Sequence, residues 1–316
     1  MANPEIGPDI RTVAVIGCGT IGASWAAAFL AADLSVQAYD PDPLFHERLA
    51  QFITSAWPDL QALGAKTANW RERLTLAGDL ASALRGADWV QESGPENLQL
   101  KQEMFAELAR LAPQRAVLAS SSTALMPSDI QARCPDPARV IVAHPFNPPH
   151  LVPLVEIVGG TRTSDETIQR ALAFFKAIGK APIYLKKELP GHLANRLQAA
   201  LYREAVHLVA SGAASVADVD AAVTNGPGLR WAIMGPHLTY HVGGGKGGIA
   251  EYFEKLGPSQ QARWADLGSP RLDASTKEAI VAGMAEEVAA MGKRDLLPWR
   301  DRQLLAILKL KQEQES

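Results

Sequence analysis

The sequence predicts an α/β protein: a doubly wound, mostly parallel sheet followed by an all-helical second domain. Three observations carry that prediction. Short apolar runs of four to six residues alternate with helical stretches through the first part of the chain, the pattern of strands covered on both faces. The first two runs flank a glycine-rich turn that opens a helix. Past Leu189-Pro190-Gly191 no strand pattern recurs and apolar residues fall at helical spacing, which places the boundary between residues 1–189 and 190–316.

The first run, Val13 to Ile16, enters Gly17-Cys18-Gly19-Thr20-Ile21-Gly22; a small, apolar helical pattern follows, and a second strand from Leu34 to Tyr39 closes on Asp40. In such a βαβ unit Gly17 permits the tight turn, Gly19 lets the backbone approach a pyrophosphate and Gly22 lets the helix pack on the strand. The helix N-terminus then offers unpaired N–H groups and positive partial charge to phosphates. Asp40, eighteen residues after Gly22, is placed to accept hydrogen bonds from the ribose hydroxyls and to repel a 2′-phosphate. Strand, turn, helix, strand and acid in register make a Rossmann-type dinucleotide site, with NAD favoured over NADP.

Beyond Asp40 the chain reads as polar and helical to about Leu84, with four basic residues (Arg48, Lys66, Arg71, Arg73) against five acidic ones between Asp42 and Leu80. Trp89 to Glu92 is the next strand; the Ser93–Asn97 loop opens a helix from Leu98 to Leu111, with Glu96 and Lys101 near its start. Ala116 to Ala119 ends in the hydroxyl cluster Ser120–Thr123, and Val140 to Ala143 ends in His144-Pro145-Phe146-Asn147. Leu154 to Val158 carries Glu156 inside it; a helix near Asp165 to Ile178 and a strand from Pro182 to Leu185 complete the sheet. His192 to Ser211 begins the helical part, glycines at 243–245 and 247–248 mark a mobile loop, and the terminal KLKQEQES reads as frayed.

Composition bounds the function. With 47% hydrophobic and 21% charged residues and a net charge of −3, the chain has no basic surplus to attract nucleic acid or anionic membrane. The leading residues lack a basic-then-apolar secretory pattern, and no apolar run reaches spanning length. Cys18 and Cys134 are the only cysteines and form neither a disulfide framework nor a metal-ligand cluster, so the expectation is a cytoplasmic protein without a metal.

His144, at a strand end, has a side chain whose pKa lies near neutrality and could take a hydroxyl proton, or could simply be hydrogen-bonded in a loop. Glu156 favours the first reading: an unpaired carboxylate inside an apolar strand is costly, so a partner is implied. A carboxylate beside an imidazole fixes its tautomer and stabilises the cation. Thr123 and Asn195 could hold a substrate oxygen, or serve as a strand-end hydroxyl and a helix cap.

The chain resembles the L-3-hydroxyacyl-CoA dehydrogenase superfamily through GCGTIG with Asp40, Glu96-Asn97 with Lys101, the SSST cluster, HPFNP with Glu156 twelve residues on, and PGHLANR. The stretches LMPSDI, HPFNPPHLVPLVE, YREAVHLV and GLRWAIMGPHLTYHVGGG narrow the likeness to the branch acting on small free 3-hydroxy acids such as carnitine and gulonate. The resemblance implies that His144 is the general base, Glu156 its orienting partner, Thr123 (serine in most members) and Asn195 the holders of the substrate oxygen, and Glu96 and Lys101 neighbours of the nicotinamide ribose. It also implies a homodimer paired through the helical domain. The acidic balance of the Asp42–Leu80 segment, where CoA-dependent relatives carry lysines, favours a free acid over a thioester. Phe146, Trp231 and Tyr240 are aromatic candidates for a trimethylammonium group, and Arg196 or Arg230 for the substrate carboxylate; each could equally be a packing or ion-pair residue. Gulonate and 3-hydroxybutyryl-CoA are the alternative substrates, and a crystallin-like structural protein that keeps the nucleotide without turnover is the alternative of another class.

Overall fold

The computed structural model describes residues 10–315; Ser316 and the leading segment, including the reading of that segment as no secretory signal, lie outside them. The chain divides into two compact units, residues 1–194 and 195–316.

In the first unit the described residues form one eight-stranded sheet: β1 (Thr12–Ile16), β2 (Ser35–Tyr39), β3 (Leu74–Leu76), β4 (Trp89–Glu92), β5 (Val117–Ser120), β6 (Val140–Pro145), β7 (Leu154–Gly159) and β8 (Ala181–Leu185), in the order β3-β2-β1-β4-β5-β6-β7-β8. Strands β1 to β6 run parallel, while β7 is antiparallel to β6 and parallel to β8. Order reverses at β1, so the first glycine turn opens at the switch point where ligands bind in such sheets. The short β3 lies where sequence reading gave only polar and helical residues. It is an edge strand with two of its three residues exposed, too short and too wet to leave a period-two signature.

Helices α1 (Thr20–Ala31), α2 (Phe45–Ala62), α3 (Leu80–Leu84), α4 (Leu98–Leu111), α5 (Pro127–Ile130) and α6 (Asp165–Ala177) cover the sheet. Every α1 residue from Gly22 to Leu30 is buried, as its run of alanines requires of a helix apolar on all sides. One core layer joins Trp25 and Phe29 of α1, Leu49, Ile53 and Trp57 of α2, and Phe174 and Phe175 of α6; the other joins Leu84, Phe105, Leu108 and Leu118. Trp25 stacks on Phe29 at 5.1 Å, and large side chains buried this fully contribute about 1.5–3 kcal/mol each.

The second unit is helical: α7 (Ala194–Ala210, beginning at the last residue of the first unit), α8 (Val216–Asn225), α9 (Pro227–Trp231), α10 (Pro236–Gly243), α11 (Gly248–Asp266), α12 (Ala274–Ala290) and α13 (Leu296–Glu315). Ser215 and Asp218 form a capping box that starts α8. Gly283 lets α12 approach α8, since a Cβ there would stand 2.5 Å from Val216. Gly243 ends α10, Gly245–Gly247 form a 3-10 turn and Gly248 begins α11, and the final helix extends to Glu315. Among the described residues no helix is long and apolar enough to cross a membrane.

Candidate active site

The antiparallel turn of the sheet at β6 makes the site. Its register pairs His144 directly with Glu156, so the two side chains share one face of the sheet. His144 Nδ1 lies 2.8 Å from Glu156 Oε2; the carboxylate is fully buried and the imidazole is 5% exposed. The other oxygen, Oε1, accepts the backbone N–H groups of Leu193 at 2.8 Å and Ala194 at 2.9 Å. Burial pushes the Glu156 carboxyl up, but the hydrogen bonds from His144, Ala194 and Leu193 outweigh it and hold the group below the usual glutamate range. An ionised Glu156 accepts the Nδ1 proton, leaving the lone pair of His144 on Nε2, which makes no hydrogen bond among the described residues.

The Ser122–Thr123 turn is organised by Glu96. Its Oε1 receives Ser122 Oγ at 2.5 Å and the N–H groups of Thr123, Ala124 and Leu125 at 3.1, 2.8 and 3.3 Å. Burial raises the Glu96 carboxyl, yet these donors and the Lys101 charge hold it below its usual value. The Thr123 residue itself is exposed. Lys101 is buried with its ammonium on both oxygens of Glu92, at 2.8 and 2.9 Å, and 3.9 Å from Glu96. Glu92 also accepts Ser120 Oγ at 2.7 Å and Gly94 N–H at 2.6 Å. A buried ion pair with its remaining lone pairs filled thus underlies the loop that carries Glu96.

Phe146 stands edge-on to His144, with ring centroids 6.4 Å apart. Its loop is pinned by Ser24, whose hydroxyl meets His150 Nδ1 at 2.8 Å and accepts the His150 N–H at 2.9 Å, and by Lys180 donating to the carbonyls of Pro149 and Val152. The remaining candidates belong to the helical unit. Asn195 follows Ala194 in α7, Arg196 comes next, and Arg230, Trp231 and Tyr240 are exposed on α9 and α10, Tyr240 lying 4.8 Å from Tyr252.

The glycine turn has the geometry that a dinucleotide requires. Gly17 has φ +88°, and a Cβ on Gly22 would stand 1.8 Å from the Gly17 carbonyl oxygen, so both positions must be glycine for the turn and helix to meet. On Gly19 a Cβ would meet nothing within 4 Å, which leaves a backbone face open at the uncapped N-terminus of α1. Asp40 Oδ2 accepts the Cys18 N–H at 2.8 Å and Oδ1 accepts that of Asp42 at 2.9 Å, fixing the carboxylate at the end of β2. These residues fit NAD: open N–H groups for the pyrophosphate and an acid for the ribose.

Two residues of this region escaped sequence reading. Glu92, a carboxylate at the end of the Trp89–Glu92 strand, gave a weaker form of the signal that Glu156 gives inside its apolar strand, and its partner Lys101 was already in view. His192, fully buried, sits 5.0 Å from His144 between ring centroids. It lay within the PGHLANR motif, whose Pro190-Gly191 hinted at a bend but gave the histidine no role.

The fold and this turn define a dinucleotide-binding protein of the Rossmann type, and the family to which it belongs makes it an NAD-dependent oxidoreductase acting on a CH–OH group. The chain belongs to the 3-hydroxyacyl-CoA dehydrogenase family: the model of the family's NAD-binding domain matches residues 12–189 and that of its C-terminal domain residues 191–277. It is 45% identical to an L-carnitine dehydrogenase of Streptomyces griseus over 98% of this chain and 92% of that one. With the L-carnitine dehydrogenase of Streptomyces coelicolor it shares 44% identity over 98% and 96% of the two chains. Among solved structures it is similar to 5-formyl-3-hydroxy-2-methylpyridine 4-carboxylic acid 5-dehydrogenase, described as an NAD+ dependent dismutase, with a TM-score of 0.80, 29% identity and coverage of 95% and 98%.

Proposed function

We propose that the protein oxidises the 3-hydroxyl of L-carnitine to 3-dehydrocarnitine, with His144 as the general base. The 2.8 Å contact between His144 Nδ1 and the buried Glu156 carboxylate carries this reading, because it commits Nδ1 to donating and Nε2 to accepting. His144 Nε2 takes the hydroxyl proton while the C–O bond becomes a carbonyl, and Glu156, remaining ionised, stabilises the imidazolium. The Thr123 hydroxyl hydrogen-bonds the oxygen as its charge changes, and the Asn195 amide is the candidate for a second donor. Bound NAD supplies the acceptor for the hydride that leaves carbon 3. The Gly17–Gly22 turn with Thr20 and Ile21 at the head of α1 holds its pyrophosphate, and Asp40 holds the adenosine ribose. Glu96 acts at the nicotinamide ribose through the oxygen not used by the Ser122–Leu125 turn, and Lys101 supports it from below.

Carnitine is favoured by its named relatives and by two features of the first unit. The Phe146 ring beside His144 offers an aromatic face to a trimethylammonium group. The arginines of the Asp42–Leu80 segment are engaged: Arg48 with Asp42 at 2.7 Å, Arg73 with Asp33 at 2.7 Å, and Arg71 over the Trp70 ring at 4.2 Å. Coenzyme A phosphates would have to displace these pairs. In the helical unit Trp231 and Tyr240 are further aromatic candidates for the trimethylammonium group, and Arg196 and Arg230 are candidates for the carboxylate. NADH formation from carnitine, gulonate and 3-hydroxybutyryl-CoA, measured side by side, tests the assignment. Carnitine is expected to lead in kcat/KM by at least about tenfold, and a lead by either rival overturns it. The helical unit exposes Leu197, Leu201, Leu238 and Val242, which supports a homodimer; a monomeric mass by light scattering at micromolar concentration would contradict that.

A further inference from the structure

His192 has two connections to the proposed catalytic pair. Its backbone adopts φ +50° directly after Gly191 at +74°. This paired left-handed turn, closed by the His192 N–H on the Leu189 carbonyl at 2.9 Å, delivers the next two N–H groups, of Leu193 and Ala194, to Glu156 Oε1. Its ring reaches the other side of the site, with Nε2 3.0 Å from the carbonyl oxygen of Ser122. A carbonyl only accepts, so Nε2 carries the hydrogen and Nδ1 holds a lone pair. Nδ1 is buried and has no partner. The ring lies 5.0 Å from that of His144, inclined by 44°.

These facts make His192 a poor proton carrier. A second proton would place an N–H at Nδ1 with no acceptor there. Burial and the facing His144 oppose a charge on the ring, while the Ser122 carbonyl, Glu156 and Glu96 favour one; the balance lies below the usual histidine value. When His144 is protonated, His192 therefore stays neutral beside it.

We propose that His192 is a positioning residue, a neutral imidazole that ties the Ser122–Thr123 turn to the His144–Glu156 pair and fixes the plane of the base. The proposal rests on the reading of His144 as that base. His192→Gln keeps a donor for Ser122, whereas His192→Phe keeps the ring volume but no donor. Neither shares histidine's tolerance of positive φ, so the backbone strain is common to both and their difference reports the side chain.

The expected result for His192→Phe is a kcat lowered about 10- to 100-fold with KM and the fluorescence-titrated NADH Kd within about 2-fold of wild type. The far-downfield proton resonance of His144 Nδ1–H should broaden or shift with it. His192→Gln should recover most of the loss and restore that resonance. Wild-type kcat in the Phe variant, or Phe more active than Gln, overturns the proposal, since a ring that merely fills space is replaced best by Phe. If thermal melts show that the Phe variant does not fold, His192→Asn takes its place. Asn tolerates the positive φ but is too short to reach Ser122, and undiminished turnover there is equally decisive. The two readings fail separately. Turnover surviving in His144→Ala sinks the assignment of the base, whereas an inactive His144→Ala beside a wild-type-like His192→Phe sinks only this inference.

Discussion

Glu156→Gln is the substitution in which geometry alone sets the outcome. Three donors converge on the fully buried carboxylate: His144 Nδ1 on one oxygen, and the Leu193 and Ala194 N–H groups on the other. Glutamine keeps the shape but offers one acceptor oxygen and one NH2. If its NH2 faces the backbone, two buried N–H groups lose their acceptor, at about 1–3 kcal/mol each. If it faces His144, one contact is lost, and that can be mended by moving the imidazole hydrogen from Nδ1 to Nε2. The second arrangement is therefore preferred, and it removes the lone pair that takes the substrate proton. The charge opposite the imidazolium is lost as well. A wrong-tautomer substitution of this kind in the serine-protease triad costs about ten-thousand-fold. Here kcat should fall about a thousand- to ten-thousand-fold, equivalent to ~4–5.5 kcal/mol of barrier. NADH affinity should not change, because the Gly17–Gly22 turn and Asp40 are untouched. The assay is steady-state NADH formation together with fluorescence titration of NADH on the folded variant. A kcat within about tenfold of wild type would refute the role given to the pair.

Other substitutions separate stability from affinity. Gly22→Ala would drive a Cβ to within 1.8 Å of the Gly17 carbonyl and should lower unfolding free energy by about 1–3 kcal/mol in denaturant titration. Gly19→Ala meets no protein atom; it should melt like wild type while NADH binding weakens at least about tenfold, since the methyl occupies the phosphate approach. Lys101→Met leaves Glu92 buried without its cation and should cost about 3–5 kcal/mol of stability; a loss confined to NAD affinity would instead assign Lys101 to the cofactor. Because Glu156 is held below its usual value in the folded state, its ionised form contributes stability that is fully present above the unfolded carboxyl pKa, about 4.3. That contribution is lost as pH falls through the lower folded value. The stability gap between wild type and Glu156→Gln should accordingly shrink below about pH 4, as followed by denaturant unfolding at stepped pH.

How much of this was legible in the sequence depended on how far each feature is determined by near neighbours. β1 and β5 are buried on both faces and announce themselves as apolar runs, and the glycine turn is local by construction. The edge strand β3 is three residues long and held by β2, so nothing within it reports its state. Direction is also absent from sequence: Leu154 to Val158 was visible as a strand, but its antiparallel pairing with β6 is what sets Glu156 opposite His144. The pair was nevertheless foreseeable from energy, because a carboxylate in an apolar strand demands a partner. The same argument applied more weakly to Glu92, and Lys101 stood nine residues away. His192 obeyed no such rule. Its burial, its positive φ and its contact with Ser122, seventy residues upstream in the chain, arise from a turn whose only trace is Pro190-Gly191. Sequence therefore exposes the groups that would be costly to leave unpaired, such as Glu156, and conceals neutral residues such as His192, whose contribution lies in where the fold holds them.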